Sequence, residues 1–72
     1  MTARALDLEV LRNGRPQDTF QANGDPEDLA WLQKRLQGWL EAKKWDRPLW
    51  GAFEIVAREA GKSRQLAKAR AV

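Results

Sequence analysis

The chain has 72 residues, with 13 basic and 10 acidic side chains, a formal net charge of +3, and neither cysteine nor histidine. These absences exclude disulfide bonds, thiol nucleophiles and the imidazole that serves most often as a general base. A chain of this size has one hydrophobic core, so its large apolar side chains must supply the stability. Four tryptophans, all between residues 31 and 50, are the most informative of these.

The first predicted element is a strand. Leu6, Leu8 and Val10 alternate with acidic residues, which is the period of a half-buried strand. Asn13-Gly14 follows this pattern and is the strongest short signal for a hairpin turn. We therefore expect an amino-terminal β-hairpin.

The return strand is expected over residues 16–22. A bulged three-residue loop would place Phe20 opposite Leu8, on the apolar face, whereas a strict two-residue turn would place it opposite Asp7. The bulged register is therefore favoured. Pro16 cannot donate a hydrogen bond to a neighbouring strand, so this strand is predicted to lie at the edge of the sheet.

A helix is predicted next, over residues 26–44. Asp25 is the expected N-cap and Pro26 the first helical residue, followed by acids that suit the positive end of the helix dipole. The helical period places one group of residues on the side expected to cover the sheet. That group is Leu29, Leu32, Leu36, Trp39, Leu40 and Lys43.

The opposite side of this helix is the main candidate contact surface. Trp31, Gly38, Ala42 and Trp45 fall in a narrow band there, so two indoles flank small residues. One interpretation is a shallow groove for a partner helix or strand, since glycine inside a helix costs about 1 kcal/mol and calls for a packing reason. In the other interpretation, Trp45 folds back as a plug after the helix and Trp31 covers its own helix surface.

Residues 49–58 have two readings. As a strand they direct Phe53, Ile55 and Ala57 inward, together with Leu49, and direct Trp50 outward. As a helix they show an apolar stripe that ends at a glycine. The strand is favoured because a two-stranded hairpin is not stable alone and needs a third strand beside its first.

The predicted fold is therefore α+β, with the order ββαβ or ββαββ and one long helix on one face of an antiparallel sheet. Residues 1–61 are expected to form a single domain. The other sheet face, with Trp50 and Val56 among acidic residues, is a second candidate contact surface. Together, the partner-binding candidates are Trp31, Gly38, Ala42, Trp45 and Trp50.

The basic charge is concentrated at the carboxyl end. Residues 62–72 carry four basic and no acidic side chains, and are predicted to form either a weak fourth strand or a flexible tail. Any electrostatic attraction to nucleic acid would come mainly from this segment. The candidate nucleic-acid-binding residues are Lys62, Arg64, Gln65, Lys68 and Arg70.

Under the helical reading, residues 56–65 resemble the start of a helix-turn-helix of the LacI repressor type. The resemblance rests on Ala57, Gly61 as the turn glycine and Ser63 as the first residue of the recognition helix. It implies that residues 63–70 enter the major groove of DNA.

The order of the predicted elements is also similar to that of small proteins of actinobacteria and their phages. The similarity is carried by the strand before Asn13-Gly14, a return strand with Phe20, a capped helix containing Trp31, and a third strand. It favours a phage or mobile element as the source and implies no activity.

No catalytic pattern accompanies these elements. Asp25, Glu27 and Asp28 are explained by the helix start, and the segment around Lys62 lacks the first glycine of a phosphate-binding loop, because Val56 stands there. The sequence contains no apolar run near the roughly 18 residues of a membrane span. We therefore expect a non-enzymatic cytoplasmic protein without cofactor or metal, acting as an adaptor or inhibitor of an unidentified protein. The alternative is a small nucleic-acid-binding regulator, and a homodimer would be compatible with either.

Overall fold

The computed structural model describes residues 3–71. Residues 1 and 2 of the predicted domain and residue 72 of the predicted carboxyl-terminal segment lie outside the described residues. The chain forms a four-stranded antiparallel sheet in the order β2-β1-β3-β4, with one α-helix. The predicted α+β fold and the pairing of the third strand with the first are confirmed. The elements are β1 (Arg4–Arg12), β2 (Arg15–Gly24), α1 (Leu29–Ala42), a 3-10 helix (Arg47–Ala52), β3 (Phe53–Glu59) and β4 (Gln65–Arg70).

The hairpin has the predicted register but reaches it differently. Asn13 and Gly14 have φ angles of 52° and 80° and form a two-residue turn. The extra residue is Gln17, inside β2, where a bulge shifts the pairing with β1. Phe20 consequently lies opposite Leu8, as predicted, although the expected three-residue loop is wrong.

The helix begins later than the sequence indicated. Asp28 is its N-cap, and the Asp28 carboxylate accepts a hydrogen bond from the backbone N–H of Trp31 at 3.1 Å. The prediction of Asp25 as N-cap is wrong. The Asp25 carboxylate instead accepts a hydrogen bond from the backbone N–H of Glu27 at 2.9 Å, in the turn that precedes the helix.

The end of the helix turns the chain back toward the core. Lys44 has a φ of 60°, and the backbone N–H of Trp45 donates a hydrogen bond to the carbonyl of Leu40 at 3.0 Å. This is the hydrogen bond of a Schellman motif, in which the residue after the C-cap adopts the left-handed conformation. It brings the Trp45 ring to 5.0 Å from the ring of Phe53.

The segment before β3 is a 3-10 helix, where the sequence indicated the beginning of the strand. Pro48, near its start, has no backbone N–H to offer a neighbouring strand. Trp50 is 3% exposed and belongs to the core, whereas Leu49 is 43% exposed. The predicted orientations of both residues are therefore wrong.

The helical reading of residues 49–60 is also wrong. Phe53–Glu59 is strand β3, which pairs with β1 on one side and β4 on the other. A first helix for a helix-turn-helix therefore does not exist in this segment.

The core lies between the helix and one face of the sheet. It is formed by alternate residues of β1 and β3, by the buried stripe of the helix and by Trp50. Its largest fully buried side chains are Phe53, Leu6, Leu8, Leu32, Leu36, Leu40, Ile55 and Val10. Three residues of the helix face predicted to cover the sheet are not fully buried. Leu29 is 55% exposed, Trp39 is half-buried and Lys43 is exposed.

The basic carboxyl-terminal segment contributes the fourth strand. β4 pairs with β3 and forms the second edge of the sheet. Ala71 is fully buried in the core, and its carbonyl accepts a hydrogen bond from the side chain of Gln37 at 2.8 Å. Within the described residues this segment is thus ordered against the helix.

The sheet face away from the helix is covered by polar side chains. The guanidinium of Arg58 donates to Glu9 at 2.9 Å, and the amide of Gln21 donates to Asp7 at 3.0 Å. Val56, which is on the same face of β3 opposite Glu9, is only 3% exposed. The apolar contact surface predicted for this face is wrong, because Trp50 is absent from it and Val56 is covered.

None of the helices in residues 3–71 is both long enough and apolar enough to cross a membrane.

Gly24 permits the helix to approach β2, and this contact is testable. A methyl group added at Gly24 would overlap the indole of Trp31. We expect Gly24→Ala to lower the free energy of unfolding by about 1–3 kcal/mol, since the indole must leave its place. Chemical denaturation measures this change. Gly38→Ala is the matched control, because an added methyl group there meets nothing within 4 Å and should raise stability by about 0.5–1 kcal/mol. Equal effects of the two changes would contradict the close approach.

Candidate functional site

The candidate site is a groove between the helix and the edge strand β2. The helix packs more extensively on β4 and β3 than on β2, so it leaves the β2 side of the sheet incompletely covered. The resulting groove has a volume of about 400 Å³. It is lined by Asp18, Phe20, Lys34, Arg35, Gly38, Trp39 and Lys43.

A hydrogen bond between two side chains ties one end of the groove together. The indole N–H of Trp39 donates to Asp18 Oδ2 at 2.8 Å, across the gap between α1 and β2. The backbone N–H of Thr19 donates to Asp18 Oδ1 at 2.9 Å. The indole hydrogen bond is the largest influence that lowers the pKa of the Asp18 carboxyl, and the Thr19 N–H and the charge of Lys43 act in the same direction. Asp18 is therefore held as a carboxylate.

The amino-terminal end of the helix meets β2 through a second tryptophan. Trp31 is half-buried and lies directly over Gly24, the last residue of β2. The guanidinium of Arg35 stands over the Trp31 ring at 5.5 Å from its centroid, within the range of a cation–π interaction. Trp31 thus supports Arg35 at the groove wall.

Gly38, the residue before Trp39, has no side chain, and the groove is open at this position. An atom added at the Cβ position of Gly38 would meet nothing within 4 Å. Phe20, whose side chain points to the helix side of β2, is half-buried and lines the same groove. We call the space bounded by Phe20, Gly38 and Trp39 the aromatic slot.

Cations surround the aromatic slot. Lys34, Arg35 and Lys43 all line the groove and are exposed. Both ion pairs found within residues 3–71 lie elsewhere, one between Arg58 and Glu9 and one on Glu59. With these three cations against the single carboxylate of Asp18, the groove presents an apolar floor and a net positive rim, which suits an apolar group flanked by negative charge.

The structure distributes the predicted partner-binding residues over several places. Gly38 lines the groove, and Trp31 adjoins it through Arg35. Ala42 is exposed but outside the groove lining. Trp45 packs on the ring of Phe53 beneath the guanidinium of Arg12, which lies 4.8 Å from the Trp45 ring centroid. The predicted band therefore does not form one surface, because Trp45 leaves it, and Trp50, which was predicted on the second contact surface, is in the core.

Sequence reasoning missed most of the groove. The spacing of Phe20 and Trp39 predicts that both lie on apolar faces turned to the core, and half-buried residues share that spacing. Asp18 was missed because its partner, Trp39, is 21 residues away in the sequence. The sequence contains one usable signal for the groove, because Gly38 follows Lys34 and Arg35 and precedes Trp39 in the same helix.

The candidate nucleic-acid-binding residues lie in β4 and in the turn before it, and two of them adjoin acidic residues. Lys62 Nζ lies 3.7 Å from a carboxylate oxygen of Glu59. Lys68 and Arg70 in β4 lie opposite Val56 and Glu54 of β3, on the face away from the helix. Arg64 is exposed before β4, and Gln65 begins that strand.

In the described part of the chain, no three potential metal ligands come together, and every buried side-chain nitrogen or oxygen has a hydrogen-bond partner. Comparison with protein families, with curated proteins and with solved structures found no significant match to this chain.

Proposed function

We propose that the protein is a small non-enzymatic protein-binding module, an adaptor or inhibitor that holds its partner in the groove between α1 and β2. The aromatic slot carries this proposal. A half-buried Phe20 and the ring of Trp39 form an apolar floor that the helix leaves uncovered at Gly38. Aromatic residues in a concave surface of this kind are frequent anchors in protein interfaces.

The chemistry of the groove supports binding rather than catalysis. Its acidic group, Asp18, is engaged by Trp39 and Thr19, and its lowered pKa makes the carboxylate a weaker proton acceptor. Its other charged groups, Lys34, Arg35 and Lys43, are exposed cations of the ordinary surface type. These groups suit the recognition of a partner by charge.

Filling the aromatic slot tests the proposal. In Gly38→Leu the new side chain occupies open space and replaces a poor helix former, so the fold should be retained. Immobilised wild-type chain is used to capture proteins from a lysate, and we expect the Gly38→Leu variant to fail to capture them. The binding free energy should be weaker by about 2 kcal/mol, the usual scale of an aromatic anchor. Ala42→Leu adds a leucine one turn further along, outside the groove lining, and should retain them.

Two results would contradict the proposal. Retention of the same proteins by Gly38→Leu would place the contact surface elsewhere. Capture that a nuclease abolishes and that rising salt weakens steeply would favour the alternative, a nucleic-acid-binding regulator that uses Lys68 and Arg70.

A further inference from the structure

The two edges of the sheet are protected differently. β4 carries Lys68 and Arg70, and charged side chains on an edge strand discourage pairing with another strand. β2 is protected only at its beginning, where Pro16 and the bulge at Gln17 interrupt the strand. Residues 19–24 contain neither proline nor a charged side chain. Apart from the N–H of Thr19, which donates to Asp18 Oδ1, this part of β2 is therefore open to pairing with an added strand.

The aromatic slot runs along this unprotected edge. Asp18, Phe20 and Ala22 lie opposite core residues of β1, so they occupy the helix side of β2. In an added strand, alternate side chains would point to the same side, about 7 Å apart. One side chain would enter the slot above Phe20, and its neighbours two residues away would reach the groove rim.

The charge of the rim selects the occupant. Lys34, Arg35 and Lys43 would meet those neighbouring side chains, and acidic residues are the complementary type. A second copy of the chain suits the edge poorly. Two β2 strands paired about a two-fold axis would place both helices on one side of the joined sheet and bring the two cationic rims together.

Building on the proposed function, we propose that the partner contributes an extended acidic segment that pairs with β2 as a fifth strand. An apolar side chain of this segment fills the aromatic slot, and acidic side chains two residues before and after it contact the cationic rim. Backbone hydrogen bonds supply affinity, and the slot and rim supply specificity, as in other strand-addition complexes.

The test is a selection from a random decapeptide library displayed on bacteriophage, with the full chain as bait. We expect enrichment of peptides in which an apolar residue has Asp or Glu two positions away on both sides. The most enriched peptide is then synthesised with one backbone amide methylated at a time. Fluorescence anisotropy should show losses of about tenfold at every second position, because alternate amides of an added strand bond to its neighbour.

Matched charge reversals separate the rim from general electrostatics. The Lys34→Glu/Lys43→Glu double variant should bind the peptide at least about tenfold more weakly. Lys68→Glu/Arg70→Glu makes the same change in net charge on the opposite edge and should bind it with unchanged affinity. Circular dichroism establishes that both double variants retain the fold.

The outcomes distinguish this inference from the proposed function. The selected peptides could fail to bind the Gly38→Leu variant and yet contain no acidic residues, or show no loss of affinity at every second methylated amide. Either result would overturn strand addition and leave the groove as the binding site. Failure to select any peptide would overturn the inference, and the capture experiment with Gly38→Leu would then decide the proposed function alone. Sedimentation equilibrium could also show a dimer of the chain that the peptide dissociates. That result would assign the edge of β2 to a second copy and would overturn the inference.

Discussion

Trp50→Ala is expected to lower the free energy of unfolding by about 3–5 kcal/mol, the range for removing a buried aromatic side chain. The Trp50 ring is 3% exposed in the core, and its indole N–H donates to the carbonyl of Trp45 at 3.0 Å. The truncation would therefore leave a cavity and an unpaired carbonyl together. For a domain of this length, such a loss is a large share of the total stability. Equilibrium unfolding in urea measures it.

Trp50→Phe is the matched variant for this experiment. Phenylalanine keeps most of the apolar volume but cannot donate to Trp45, so the expected cost is smaller than that of Trp50→Ala by at least about 1 kcal/mol. It also provides a measurable protein if the alanine variant does not fold. A cost below about 1 kcal/mol for Trp50→Ala would mean that the ring lies at the surface, as the sequence alone indicated.

Leu36→Ala is expected to lower the free energy of unfolding by about 2–5 kcal/mol. Leu36 is the middle member of the buried stripe of α1, between Leu32 and Leu40, and it is fully buried. Replacing it leaves a cavity at the centre of the contact between helix and sheet, where the surrounding elements cannot easily close it. Thermal or chemical unfolding followed by circular dichroism measures the loss.

Leu29→Ala makes the same chemical change at the start of the same helix. Leu29 is 55% exposed, so its truncation should alter stability by less than about 0.5 kcal/mol. The difference between the two variants then reports burial rather than helix propensity, because both replace leucine by alanine within α1. Equal costs at the two positions would show that the helix is rotated from the orientation described.

Much of the fold could be predicted because local patterns and tertiary contacts agree in these elements. The alternation of Leu6, Leu8 and Val10 produces the central strand β1, and the paired turn residues Asn13 and Gly14 adopt the positive φ angles that such a turn requires. The edge position of β2 follows from Pro16, and the buried helix stripe from its spacing. Each of these features depends on residues close together in the sequence.

The candidate site could be predicted only in part. Gly38 was identified because a glycine inside a helix is unusual, but its partners in the groove were not. The aromatic slot requires Phe20 of β2 and Gly38 of α1 to line the same groove, and the helix period does not specify how far the helix is displaced across the sheet. That displacement is what opens the β2 side.

By itself, the sequence determined the amino-terminal hairpin with its register and the long helix with its buried stripe, because side-chain period and turn chemistry act over a few residues. Only the tertiary structure decided where the four tryptophans lie. Trp50 enters the core because residues 47–52 coil into a 3-10 helix, and Trp45 folds back because Lys44 adopts a left-handed conformation. The groove depends on the position of the helix, because burial of its apolar stripe holds the helix over β3 and β4 and leaves the edge strand β2 open.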